Sequence, residues 1–103
     1  MIQIRLRPRA RRDIDEAIDW YLSELAFDAA DGFVAATEEA FHHLSTHPGT
    51  GSPRFAQLLD LPGLRTWPLT GYPFLIFYFE RPDWLDVLRV LHSRRDVSAL
   101  LME

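Results

Sequence analysis

Residues Pro73 to Asp96 read PFLIFYFERPDWLDVLRVLHSRRD. Two apolar runs, PFLIFYFE and WLDVLRVLH, flank Arg81-Pro82-Asp83, a proline-containing turn that predicts a hairpin. In the first run Phe74, Ile76 and Tyr78 fall on one side, and Leu75, Phe77 and Phe79 on the other. In the second, alternation sets Val87 and Leu91 against Leu88 and Val90. Both strands are therefore apolar on two faces. The hairpin ends in His92, Arg94, Arg95 and Asp96, an abrupt change from apolar to charged.

Working outward, LRTWPL before this hairpin predicts a third strand, broken near Pro68. At the other end of the chain IQIRLR alternates, with Ile2, Ile4 and Leu6 facing Gln3, Arg5 and Arg7, as in a half-buried strand. Pro8 stops it and can open a helix. From Arg9 to Leu25 the apolar residues Ala10, Ile14, Ala17, Ile18, Tyr21, Leu22 and Leu25 recur at helical spacing. Arg9, Arg11 and Arg12 each stand four residues before an acid, Asp13, Asp15 and Glu16, as on a solvated helix face. A second helix spans about Ala29 to Thr46, with Phe33, Val34, Ala40, Phe41 and Leu44 inward. HPGTGSP ends it.

The expected class is α+β, in the order β-α-α-β-β-β. An antiparallel two-helix hairpin packs on a small antiparallel sheet, in one domain over residues 1–103. One helical hairpin covers one face of such a sheet. The other face needs a tail, a loop or another chain, and exposed apolar area of that size marks a binding surface.

Composition narrows the function classes. The chain of 103 residues has no cysteine, which excludes disulfides and thiolate metal sites and makes an intracellular location the expectation. The N-terminus carries no apolar run suited to a signal peptide, and PFLIFYF is far short of the ~20 residues of a membrane helix. A cytoplasmic protein with no membrane contact is expected. Net charge is −4, and all basic groups are arginine. Five lie in the first twelve residues, whereas Asp13 to Glu39 holds nine acids and no lysine or arginine. Arginine suits fixed, bidentate partners. An acidic chain with local arginine clusters fits protein partners better than nucleic acid.

Chemistry separates the candidate sites. His43 and His47 have the i, i+4 spacing of helical metal ligands, and His42 is adjacent, but no third ligand stands nearby, so no metal and no cofactor is expected. Gly51 and Gly63 sit in turns without a phosphate-loop pattern. Thr50, Ser52 and Ser93 have no acid–base partner by spacing. The cationic set Arg65, Arg89, His92, Arg94 and Arg95 is left. Alternation puts Arg89 on the face opposite His92. Binding of a partner is the favoured role for this set. The alternatives are strand-end structure, or RNA cleavage with His92 as acid–base group and Arg65 as the cation that stabilises phosphorane charge.

Taken together, RARRDIDEAIDWY, HPGTGSPR, LPGLRTWPLTGYPFLIFY and LDVLRVLHSRRD resemble the ParE toxins of the RelE/ParE superfamily over nearly the whole chain. The resemblance implies a toxin of a type II toxin–antitoxin system, of the kind that stabilises plasmids or chromosomes. Its partner would be a small ParD-like antitoxin whose disordered tail folds onto the apolar and arginine surface, giving a hetero-oligomer. ParE-like members are associated with inhibition of DNA gyrase by binding, and RelE-like members with mRNA cleavage on the ribosome. Ribosome binding needs many phosphate contacts, and a lysine-free acidic chain argues against it. The expectation is a gyrase-binding toxin without a catalytic site, with Arg65, Arg89, His92, Arg94 and Arg95 meeting antitoxin or target. A ribosome-dependent endoribonuclease and a non-toxic interaction module are the rivals.

Overall fold

The computed structural model describes residues 1–102. Strand β1 (Gln3–Leu6) leads into helix α1 (Pro8–Ser23), with Pro8 in the first turn, where its missing N–H costs nothing. Helix α2 (Phe27–Thr46) runs back along it. The break between them is tighter than periodicity predicts. Leu25, expected as the last residue of α1, takes a left-handed φ of 57°, and the Ala26 N–H donates to the Tyr21 carbonyl. This conformation normally favours glycine at a helix end. It reverses the chain within three residues, so α2 starts at Phe27 rather than Ala29 and Leu25 is left exposed.

A 3-10 turn at Pro48–Thr50 and a short helix α3 (Arg54–Leu58) follow. Strands β2 (Leu64–Pro68), β3 (Phe74–Glu80) and β4 (Trp84–His92) come next, and helix α4 (Val97–Leu101) closes the fold. The sheet order is β1-β4-β3-β2. Strands β2, β3 and β4 are antiparallel as expected. β1 instead joins β4 in parallel, from Gln3 opposite Trp84 to Leu6 opposite Val87, so the sheet is mixed. Alternation in β1 specifies a half-buried strand but not its direction.

Helices α1 and α2 lay Ala10, Ala17, Phe33, Ala40 and Leu44 on Ile76, Tyr78, Leu85, Val87 and Val90. The other sheet face holds Leu64, Phe77 and Leu91. The chain itself covers much of it, with Phe55, Ala56 and Leu59 from the α3 region and Val97 and Leu101 from α4. Of the covers expected for this face, a loop and the tail supply much of it. Strict alternation in β4 also fails. A β-bulge sets Arg89 opposite Phe77 but Val87 opposite Tyr78, with Leu88 as the extra residue. Val87 and Val90 consequently share the helical face, and Leu88 and Leu91 share the other.

Candidate functional site

The parallel strand β1 stops at Leu6, so β4 has an open edge beyond Val87. Asp13, on α1, fills it. Its carboxylate accepts the Val90 backbone N–H at 3.0 Å and two bonds from Arg89, Nε at 2.8 Å and Nη2 at 2.9 Å. Both side chains are 6% exposed. Arg89 Nη1 donates to the Leu100 carbonyl of α4 at 2.8 Å. Asp13 therefore belongs to the sheet edge, not to the solvated face that the i, i+4 pattern suggests. Arg89 is a buried tie between α1, β4 and α4. It faces away from His92, as alternation predicts, since the bulge displaces Val87 and Leu88 and leaves that relation intact.

Beside this tie lies a groove of about 680 Å³ between α1 and the far ends of β3 and β4. Its lining includes Ala17, Tyr21, Phe74 and Val90, with Glu16 and Trp20 on the helix side and His92, Arg94 and Arg95 on the strand side. Trp20 is 57% exposed. The apolar lining is stiffened by stacked rings. Tyr21 meets Tyr72 edge-on, and Phe33 meets both Tyr72 and Phe74 edge-on. The Tyr72 hydroxyl donates to the Ala29 carbonyl at 2.8 Å. It can reach there because residue 32 is glycine, since a Cβ at Gly32 would lie 2.1 Å from that hydroxyl. Burial pushes the Tyr21 phenol above its ordinary value, and the neighbouring Tyr72 adds to the effect.

His92 is fixed within the rim. Its ring meets Phe74 edge-on with centroids 5.3 Å apart, and its Nδ1 accepts the Arg94 N–H at 3.1 Å. That bond leaves Nε2 as the protonated nitrogen of the neutral ring. The turn holding it is closed by Arg95 N–H to the His92 carbonyl and Ser93 N–H to the Pro73 carbonyl. Arg94 and Arg95 are exposed.

Arg65 is elsewhere. It stands opposite Tyr78, while His92 stands opposite Phe74, four residues along β3 and on its other side. At about 3.4 Å per residue and about 4.8 Å per strand, their backbones are roughly 16 Å apart. Arg65 Nη1 donates to the Gly51 carbonyl at 2.8 Å. The Tyr78 hydroxyl accepts the Gly51 N–H and donates to Pro48. Gly51 is required there, because a Cβ would fall 2.4 Å from the Tyr78 hydroxyl. The five cationic candidates thus fall into three places: His92, Arg94 and Arg95 at the groove, Arg89 beneath it, and Arg65 on β2.

His43 stacks between His47 and Trp67, with centroids 5.1 and 4.6 Å away, and its Nε2 meets the Thr50 hydroxyl at 3.1 Å. Among the described residues no three histidine or acidic side chains gather to hold a metal. Likewise, no helix of the described residues is long and apolar enough to cross a membrane. Sequence reasoning missed Asp13, Glu16, Trp20 and Tyr21 as parts of the groove. A tryptophan beside the apolar stripe of an otherwise charged helix was the available signal for it.

A family model described as "ParE toxin of type II toxin-antitoxin system, parDE" matches residues 4–97. No curated protein matches the chain. Among solved structures, one titled "Chromosomal ParDE TA system from P. aeruginosa" superposes with a TM-score of 0.74 at 23% identity, covering 91% of this chain and 98% of its own. That likeness is one of fold. The family match takes in strands β2 to β4 and all of β1 but its first residue, the helical hairpin, the groove and the Asp13–Arg89 tie, and on it the chain belongs to the ParE toxin family of type II toxin–antitoxin systems.

Proposed function

We propose that the chain is a toxin silenced by a small ParD-like antitoxin, and that it blocks replication by binding DNA gyrase rather than by catalysis. The observation that carries the preference for binding is the separation of Arg65 from His92. A general acid–base group and its charge-stabilising cation must meet at one phosphate. Here Arg65 is tied to the Gly51 carbonyl on β2, and His92 sits at the far end of β4. The groove beside His92 supports docking instead. Its apolar lining suits the hydrophobic side of a folding tail, and Arg94 and Arg95 stand ready for carboxylates. Arg89, with Asp13, acts as a positioning residue that sets the end of β4. Arg65, on β2 beyond β3, is a separate contact for antitoxin or target, apart from the groove.

Induced expression tests the toxin reading. Growth should stop, and co-expression of the small reading frame beside this one should restore it. In a titration of the purified pair, Arg94→Ala with Arg95→Ala should weaken binding about tenfold or more. Growth that continues at full expression contradicts the toxin reading. Unchanged affinity contradicts the groove as the docking site.

A further inference from the structure

The sheet face turned away from α1 and α2 carries a second cationic surface, far from the groove. Arg5 projects from β1 and Arg7 follows that strand, Phe79 lies near the end of β3, Arg81 comes just after β3, and Trp84 and Asp86 open β4. Their register sets Arg5 opposite Asp86 and Asp86 opposite Phe79, so these side chains share one face. The Arg5 guanidinium lies 4.6 Å over the Trp84 ring, and that of Arg81 lies 4.7 Å over Phe79. Arg7 grips Asp86 with two bonds of 2.9 Å, and Arg81 adds a third at 3.0 Å. Two guanidiniums share the Asp86 carboxylate, while Arg5 donates to the Gln3 side-chain oxygen. Even with the exposed Asp83 of the adjoining turn counted, the cluster stays positive. Arg7 and Arg81 keep 44% and 40% of their side chains exposed.

We infer that Arg5, Arg7 and Arg81 form a second docking surface, for an acidic protein segment, independent of the groove. Stacking on Trp84 and Phe79 and the shared grip on Asp86 fix the guanidiniums before any partner arrives, so less side-chain entropy is lost on binding. The remaining N–H groups of a stacked guanidinium suit a carboxylate, and the flanking rings give apolar contact to its chain. Charge chooses the face. The segment from Asp13 to Glu39 has nine acids and no lysine or arginine, so an acidic partner is repelled by the helical layer and drawn to the opposite side. The same imbalance disfavours nucleic acid. A duplex or long single strand needs many phosphate contacts, which three arginines on a chain of net charge −4 do not supply. The surface lies at the start of β4 and the groove at its end, so both can be filled at once.

A glutamate-rich peptide is the probe. Titrated into the 15N-labelled full chain, it should shift the Trp84 indole and the Arg5, Arg7 and Arg81 Nε resonances, and salt should reverse the shifts. Arg5→Gln and Arg81→Gln both leave the Arg7–Asp86 pair in place, and a wild-type pattern of backbone resonances verifies the fold. Each should weaken the peptide about threefold or more, while Arg94→Gln should leave it unchanged. Three results overturn the inference: Trp84 unmoved by the peptide, binding that follows Arg94 instead, or an oligothymidylate binding more tightly than the peptide at equal salt.

Discussion

Removing the Arg89 side chain would take two of the three bonds that the described residues are seen to give the buried Asp13 carboxylate, leaving that from the Val90 N–H. Breaking one side of a buried pair typically costs about 3–5 kcal/mol, whereas replacing both partners costs much less. Arg89→Met should therefore lower unfolding stability by about 3–5 kcal/mol in urea titration, and Asp13→Asn combined with Arg89→Met by clearly less than the two single losses together. Asp86 offers a pH signature. Hydrogen bonding from Arg7 holds its carboxyl below the ordinary value against a partial burial penalty, and Arg81 adds to the effect. A depressed carboxyl contributes stability that is present above its unfolded pKa of about 3.9 and is lost as pH falls through the lower folded value. The midpoint of thermal unfolding should fall in acid over that window, and Asp86→Asn should flatten that part of the profile. Neither role is visible locally. Asp13 has an arginine four residues before it, and nothing nearby marks it for burial against a residue 76 positions away. His92, Arg94 and Arg95, by contrast, were legible as one cluster because they adjoin in sequence.

Helices α1 and α2 and the β3–β4 hairpin were legible because each is long enough to repeat its period, and Pro8 and the 81–83 turn punctuate them. Helices α3 and α4 were not. Five residues make fewer than two turns, so no periodicity accumulates, and such helices persist only through tertiary contacts. One local signal did exist for α4, since Asp96 accepts the Ala99 N–H as its cap. The bulge at Leu88 had none, so alternation misassigned Val90 and Leu91. Because α4 brings Val97 and Leu101 over Leu64, Phe77 and Leu91, its loss should be felt. Ending the chain at Asp96 should cost about 3 kcal/mol, the order expected for exposing two large apolar side chains with their partners, and should raise binding of a hydrophobic dye. Unchanged stability would mean that α4 contributes little cover.

At the scale of the whole molecule, charge and shape divide the surface. An acidic helical layer, a groove with arginines at its rim and a separate arginine face are placed around one sheet. The charge asymmetry was plain in the sequence. The groove was not, because its residues come from three segments, around Asp13–Tyr21, Pro73–Phe74 and Val90–Arg95, that only the fold brings together. The distance between Arg65 and His92 also needed the strand order. On that distance rests the claim that the chain acts by binding. A supercoiling assay with purified DNA gyrase and excess chain tests it most directly. We expect supercoiling to be inhibited, with cleaved DNA trapped on the enzyme, by the wild type and by His92→Ala alike. Uninhibited gyrase without trapped DNA, alongside cuts in translated mRNA that vanish in His92→Ala, would contradict the account.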